Sequence, residues 1–187
     1  MNRLSIVAAV LMCAIGGQSM AQGGATSAQS SAFAKEFVEK AGTSGLAEVE
    51  MGELGAQKAK NGQVKAFAKQ MVVDHTKANQ ELLTTIKGKG VQVPSSRTDM
   101  HKATVEKFQK QDAGKTFDRD YMAQMVEDHK AAVELFETAA DDEKLDLDLR
   151  SYAKRTLPQL RDHLTEAQTI AKGELIGAFE QKVKPLK

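Results

Sequence analysis

The chain has 187 residues, with 26 lysines and arginines, 25 aspartates and glutamates, and a formal net charge of +1. This balance excludes the basic surface that is typical of nucleic-acid-binding proteins, and the single cysteine excludes an intramolecular disulfide. Few aromatic residues, three prolines and no tryptophan, together with abundant Ala, Leu, Glu and Lys, favour helices throughout.

Residues 1–21 are typical of a secretory signal peptide. Asn2-Arg3 gives a basic start, residues 4–15 form an apolar run, and Ser19-Met20-Ala21 is a small-x-small cleavage site. The apolar run is too short to cross a bilayer. The sequence therefore predicts cleavage after Ala21 and a periplasmic or extracellular protein, without cysteine and without a transmembrane span in the mature chain.

Four long helices are predicted beyond a flexible linker. The linker covers residues 22–31, which are rich in Gly, Ser, Ala and Gln. Apolar side chains spaced three and four residues apart predict helices over residues 32–60, 62–87, 117–140 and 146–172. Asn61, Thr116 and Asp146 are the expected N-caps of the second, third and fourth helices. Residues 174–187 form a C-terminal tail that we leave unassigned.

The connections between these helices indicate how they pack. Short turns join the first helix to the second and the third to the fourth, so each pair is expected to form a hairpin. A long crossover, containing a short polar helix over residues 98–110, joins the two hairpins. This order predicts an all-α, ferritin-like four-helix bundle over residues 32–173.

An Asp-His pair recurs within three of the long helices. Each histidine lies in the apolar stripe of its helix, and its aspartate lies on the flank, because adjacent residues point about 100° apart. The pairs are Asp74-His75, Asp128-His129 and Asp162-His163, and Met71 and Met125 precede the first two histidines by one turn. The fourth histidine, His101, is expected at the surface.

Counting from the turns places the polar residues of the stripes at one level. Glu48 lies 13 residues before residue 61, and His75 lies 14 residues after it. His129 and His163 each lie 17 residues from residue 146. In antiparallel helices with equal rise, residues at equal distance from a turn lie side by side. We therefore expect Glu48, His75, His129 and His163 to converge, one from each helix.

A buried group of this composition must bind something, since burying its members unpaired is unfavourable. One carboxylate and three imidazoles suit Zn²⁺ or Cu²⁺. Met71 and Met125 would serve copper or fill the core. Asp74, Asp128 and Asp162 would accept the second ring N–H of a neighbouring helix's histidine, or pair with Lys and Arg. Alternatively, the four residues form a hydrogen-bonded layer that fixes helix register.

The chain resembles a large family of exported bacterial proteins catalogued as a domain of unknown function, DUF4142. The resemblance covers residues 33–172 and is carried by Phe37, Ala47-Glu48-Val49, Phe67-Ala68-x-x-Met71-x-x-Asp74-His75, Phe136 and Leu157-Pro158-x-Leu160-x-x-His163. It implies a ferritin-like bundle in the periplasm or outside the cell, with polar core residues at Glu48, His75, His129 and His163. Family members often carry an outer-membrane label, for which the sequence offers no alternating strand pattern.

The histidines lack the spacing of ferritin-like di-iron enzymes. Those proteins use Glu-x-x-His on two helices, whereas Val72, Val126 and Leu160 stand three residues before the histidines here. We therefore expect a metal- or small-ligand-binding protein rather than an enzyme. A metal-dependent enzyme would need an open coordination position on its metal, and the sequence does not indicate one. The alternative is a non-catalytic envelope or stress-related interaction module with a structural Glu/His layer.

Overall fold

The computed structural model describes the backbone of residues 22–173 and the side chains of residues 32–173. This part of the chain holds five helices and no strand, which confirms the predicted all-α class. The helices are α1 (Gln22–Lys58), α2 (Gly62–Thr85), α3 (Asp99–Lys110), α4 (Lys115–Asp141) and α5 (Leu147–Ala171). The predicted signal peptide and C-terminal tail lie outside the described residues.

Two of the three expected N-caps are confirmed by hydrogen bonds from backbone amides to the side chain of the capping residue. Asn61 accepts hydrogen bonds from the backbone amides at positions 63 and 64, and Asp146 does the same for the amides at positions 148 and 149. Thr116 is not a cap, because α4 begins one residue earlier, at Lys115, with Gly114 before it. The first helix also begins earlier than expected, at Gln22 rather than near Ala32.

The long helices pack as two hairpins, in the order that the sequence predicts. The most extensive contacts join α1 to α2 and α4 to α5. The hairpins then meet through α2 against α5 and α1 against α4. The described residues thus form a helical bundle with one long crossover, in which α3 packs on α1.

The short helix α3 is held to α1 by charged groups as well as by apolar contacts. The Lys58 ammonium donates to the carbonyls of Phe108 at 2.8 Å and Gln109 at 2.7 Å, close to the negative C-terminal end of α3. Arg97, just before α3, pairs with Glu50 at 2.9 Å. The Phe108 ring is fully buried, so α3 is a fixed part of the bundle.

The core consists of two apolar clusters. One contains Phe37, Ala41, Leu82, Phe136 and Leu160 among others, and the second contains Met51, Met71, Met125, Tyr121 and Ala167 among others. On each long helix, a buried polar residue lies between the residues that belong to one cluster and those that belong to the other. We call Glu48, His75, His129 and His163 the polar layer; all four are less than 10% exposed.

Among the described helices, none has a stretch that is both long enough and apolar enough to serve as a membrane span.

Candidate metal centre

The three histidines of the polar layer meet in the middle of the bundle. The ring centroids of His75 and His129 are 5.6 Å apart, those of His75 and His163 are 5.6 Å apart, and those of His129 and His163 are 5.4 Å apart. One ligand atom from each lies within 4.8 Å of the other two. The rings form a nearly equilateral triangle contributed by α2, α4 and α5.

The hydrogen bonds of His129 and His163 define which ring nitrogen of each carries the proton. His129 Nδ1 lies 2.9 Å from the Met125 carbonyl oxygen, and His163 Nε2 lies 2.9 Å from the Asp74 carboxylate. Since both oxygens can only accept, the two ring nitrogens donate. In His129, whose pKa burial lowers to about 4, the other ring nitrogen, Nε2, therefore presents a bare lone pair.

Three ring nitrogens are left without a hydrogen-bond partner inside the core. Among the described residues, His75 Nε2, His129 Nε2 and His163 Nδ1 are buried without a hydrogen-bond partner. Leaving a buried hydrogen-bonding atom unpaired costs about 1–3 kcal/mol. The three histidines that carry these atoms form a group that could hold a metal ion.

Burial lowers the pKa of two of these rings, those of His75 and His129. Burial first, and then the neighbouring His129 and His163, lowers the pKa of His75 well below its usual value. Burial and His163 lower the pKa of His129 from 6.5 to about 4, against the opposing effect of the Met125 carbonyl. Neutral imidazole is the form that binds metals, so both rings are in that form at pH 7.

The aspartates of the three Asp-His pairs have different surroundings. Asp74 is buried and accepts from His163 and, at 2.8 Å, from the Gln70 amide. Asp128 is half-buried and accepts from the Gln124 amide at 3.0 Å. Asp162 is exposed. Asp74 is therefore the one that orients a histidine of the triangle.

Glu48 lies at the level of the histidines but belongs to another group of side chains. The metal-compatible group of described residues consists of the three histidines without Glu48. Glu48 is 4% exposed and its Oε2 is buried without a partner among the described residues. Burial and the nearby Asp128 raise the pKa of the Glu48 carboxyl well above its usual value.

Residues 19–170 match the protein family described as Domain of unknown function (DUF4142). The chain belongs to this family. Comparison with curated proteins and with solved structures gave no match. The matched residues include the whole polar layer of this DUF4142 domain.

The triangle has the dimensions that a metal ion requires. At a metal–nitrogen distance of about 2.0–2.1 Å, the ion lies about 3.2 Å from each ring centroid, so three rings arranged trigonally have centroids about 5.5 Å apart. The observed separations of 5.4 and 5.6 Å agree with this value. Three neutral imidazoles suit Zn²⁺ and Cu²⁺ better than Ca²⁺ or Mg²⁺.

A small cavity of about 20 Å³ lies against His75, His163 and Asp74 in this DUF4142 domain. This volume is enough for about one water molecule. A metal held by three histidines has a fourth coordination position, and a water can fill it. Met71 and Met125 are fully buried in the neighbouring apolar cluster, one turn from the histidines.

The structure gives several polar residues surroundings that were not predicted from the sequence. Gln70 and Gln124 each hydrogen-bond the aspartate four residues later, and the shared Gln-Met-Val-x-Asp-His pattern was the available signal. Tyr121 has a buried hydroxyl without a partner among the described residues; burial, then Glu48 and Asp128, raises its pKa well above the usual value. His101 is half-buried rather than at the surface, because α3 packs against α1.

Proposed function

We propose that this DUF4142 domain is an exported metal-binding protein that holds one Zn²⁺ or Cu²⁺ ion between His75, His129 and His163. The proposal is carried by the three histidines, which offer ligand atoms within 4.8 Å of one another and each of which has a buried ring nitrogen without a partner among the described residues. A metal ion satisfies all three at once, whereas a single water can donate only two hydrogen bonds to them.

The rings of His129 and His163 are held in place by hydrogen bonds within the protein, which supports binding of an ion by histidines that are already oriented. Asp74 fixes the His163 ring through Nε2, and the Met125 carbonyl fixes the His129 ring through Nδ1. Outer hydrogen bonds of this kind orient metal-binding imidazoles in many proteins and raise their basicity. The adjacent 20 Å³ cavity admits a water but no larger substrate, so the proposal is one of metal binding rather than of catalysis.

Metal binding is tested with untagged protein, because a polyhistidine tag would itself bind the ions. We expect one ion per chain by calorimetric titration with Zn²⁺ or Cu²⁺, and a rise in melting temperature on addition of either ion. His129→Gln, which keeps the side-chain volume, is expected to abolish both effects. His101→Ala is the matched control, since His101 lies outside the triangle, and it is expected to bind as wild type does.

Equal binding by wild type and the His129→Gln variant would contradict the proposal, as would the lack of any response to both ions.

A second candidate function is favoured by the existing hydrogen bonds of His129 and His163. In that alternative, the polar layer fixes helix register in a non-catalytic envelope interaction module. It predicts that His129→Gln lowers the melting temperature equally with and without metal.

A further inference from the structure

A second site lies between α1 and α4, outside the histidine triangle. It is a cavity of about 700 Å³, within the range typical of small-molecule pockets. The beginning of α3 closes part of it, through Thr98, Met100 and His101. None of the three triangle histidines is among its lining residues, so its chemistry is independent of the metal centre.

Glu48 of α1 and Asp128 of α4 line the cavity; the first is buried and the second is half-buried. Glu48 is 4% exposed, and its buried Oε2 has no hydrogen-bond partner among the described residues. Asp128 lies across from it on α4 and has an amide, from Gln124, on its Oδ1. Leaving a buried carboxyl oxygen without a hydrogen-bond donor is unfavourable, so a ligand that supplies a donor or a positive charge beside it is favoured.

The remaining charges of the lining add to this negative character. Lys40 is the one lysine among the lining residues, and it pairs with Glu36 at 2.6 Å near the cavity mouth. Glu134 is a further lining acid. The cavity therefore has an excess of carboxylates and no arginine, which favours a positively charged occupant.

Much of the remaining wall is apolar. Its apolar part is formed by Phe33, Ala41, Ala47, Met51, Leu135 and Phe136, and threonine, serine and glutamine side chains add polar groups beside it. A small inorganic cation would leave these walls facing water, whereas an organic molecule with an apolar body would cover them.

We infer that this cavity binds an amphiphilic organic cation, with its ammonium group between Glu48 and Asp128 and its apolar body against the walls. An ammonium group beside Glu48 and Asp128 favours the ionised form of both acids and donates charge-assisted hydrogen bonds to their carboxylate oxygens. The aromatic ring of Phe33 or Phe136 adds a favourable contact with an aromatic or cationic ligand.

The test compares three probes of one shape that differ in charge: naphthylmethylammonium, naphthylmethanol and naphthylacetate. Binding to the full mature chain is measured by calorimetry in the presence of a metal chelator, so that failure of the metal proposal has no influence. We expect the cation to bind at least ~10-fold more tightly than the alcohol, and the anion to bind most weakly.

Substitutions of lining residues test whether the cation binds in this cavity. Glu48→Gln and Asp128→Asn are each expected to remove most of the preference for the cation. Ala131→Phe, at an exposed lining position, is expected to weaken all three probes by filling the cavity. Glu127→Gln is the matched control, because Glu127 is an exposed acid on the same helix that pairs with Lys130; its preference is expected to equal that of wild type.

Several outcomes would overturn the inference. Equal binding of cation and alcohol would show an apolar pocket without charge recognition. Tighter binding of the anion, no binding of any probe, or a cation preference that survives in both the Glu48→Gln and Asp128→Asn variants would each exclude the assigned site. The Asp128→Asn result stands by itself if Glu48→Gln fails to fold.

Discussion

Asp74 is the residue that connects the histidine triangle to its surroundings. Its Oδ2 accepts both from the His163 ring and from the Gln70 amide, so the carboxylate is held in place before it orients the imidazole. The Asp74 carboxylate accepts a hydrogen bond from His163 Nε2, whereas Nδ1 of the same ring has no partner among the described residues. The orientation of the His163 ring is thus fixed by a residue of a neighbouring helix.

Asp74→Asn is expected to weaken metal binding by about 10–100-fold, the usual effect of removing an outer hydrogen-bond partner of a metal-binding histidine. The change keeps the side-chain shape but removes the negative charge that raises the basicity of the ring. Calorimetric titration with Zn²⁺ measures the loss. Asp162→Asn is the matched control, since Asp162 also precedes a triangle histidine but is exposed; a comparable loss in that variant would contradict the role of Asp74.

The depressed pKa values of the histidines predict a pH dependence of stability in the metal-free protein. The folded-state pKa of His129 is about 4 and its usual value is 6.5, so between these values the unfolded chain binds a proton that the folded chain excludes. The His129 contribution to stability is therefore full above pH ~6.5 and is lost as pH falls towards ~4, by about 3 kcal/mol in all.

Denaturant unfolding at a series of pH values measures this effect. Glu48 and the other acids titrate in both proteins, so the difference between wild type and His129→Gln isolates the His129 contribution. We expect wild type to lose more stability than the variant as pH decreases from ~6.5 to ~4. Parallel profiles for the two proteins would show that His129 is not held neutral by burial.

At the level of the helices, α1 and α2 approach closely because glycines leave room. A Cβ added at Gly52 would lie 2.8 Å from the Ala68 carbonyl oxygen and 3.1 Å from the Val72 amide nitrogen. Both atoms belong to the α2 backbone and cannot move without shifting that helix. Since α2 carries both His75 and Asp74, the closeness of this hairpin also sets the position of the metal centre.

Gly52→Ala is expected to destabilise the protein by about 1–3 kcal/mol, as overpacking usually does, even though alanine is favoured over glycine within a helix by about 1 kcal/mol. Thermal or denaturant unfolding gives the change. Gly62→Ala is the matched control, because no atom lies within 4 Å of a Cβ added there. A stabilised Gly52→Ala variant would mean that the two helices are not in the contact described.

The sequence predicted the height of each polar residue along the bundle better than the direction in which its side chain points. Counting residues from the turns correctly places the three histidines side by side, since helical rise is nearly constant. The same counting places Glu48 beside them, yet its carboxylate lines the α1–α4 cavity. Direction depends on how each helix is rotated about its axis, and that is set by contacts such as Gly52 against Ala68, which a single stripe of residues does not reveal. The same limit applies to His101, because the packing of α3 depends on Lys58 of another helix.

Over the whole molecule, the polar layer divides the bundle into two apolar halves. His75 belongs to the α1–α2 hairpin, whereas His129 and His163 belong to the α4–α5 hairpin. A metal ion would therefore join the two hairpins at the position where the apolar core is interrupted. Such an ion would satisfy the three histidines of the layer, whereas Glu48 belongs to the lining of the α1–α4 cavity.

The most direct test is X-ray absorption spectroscopy at the metal edge, on untagged protein loaded with one equivalent of Zn²⁺. We predict a first shell with about three imidazole nitrogens at about 2.0–2.1 Å, and the loss of that spectrum in the His129→Gln variant. A spectrum of the hydrated ion in wild type, or an identical histidine shell in the His129→Gln variant, would contradict a metal centre formed by His75, His129 and His163.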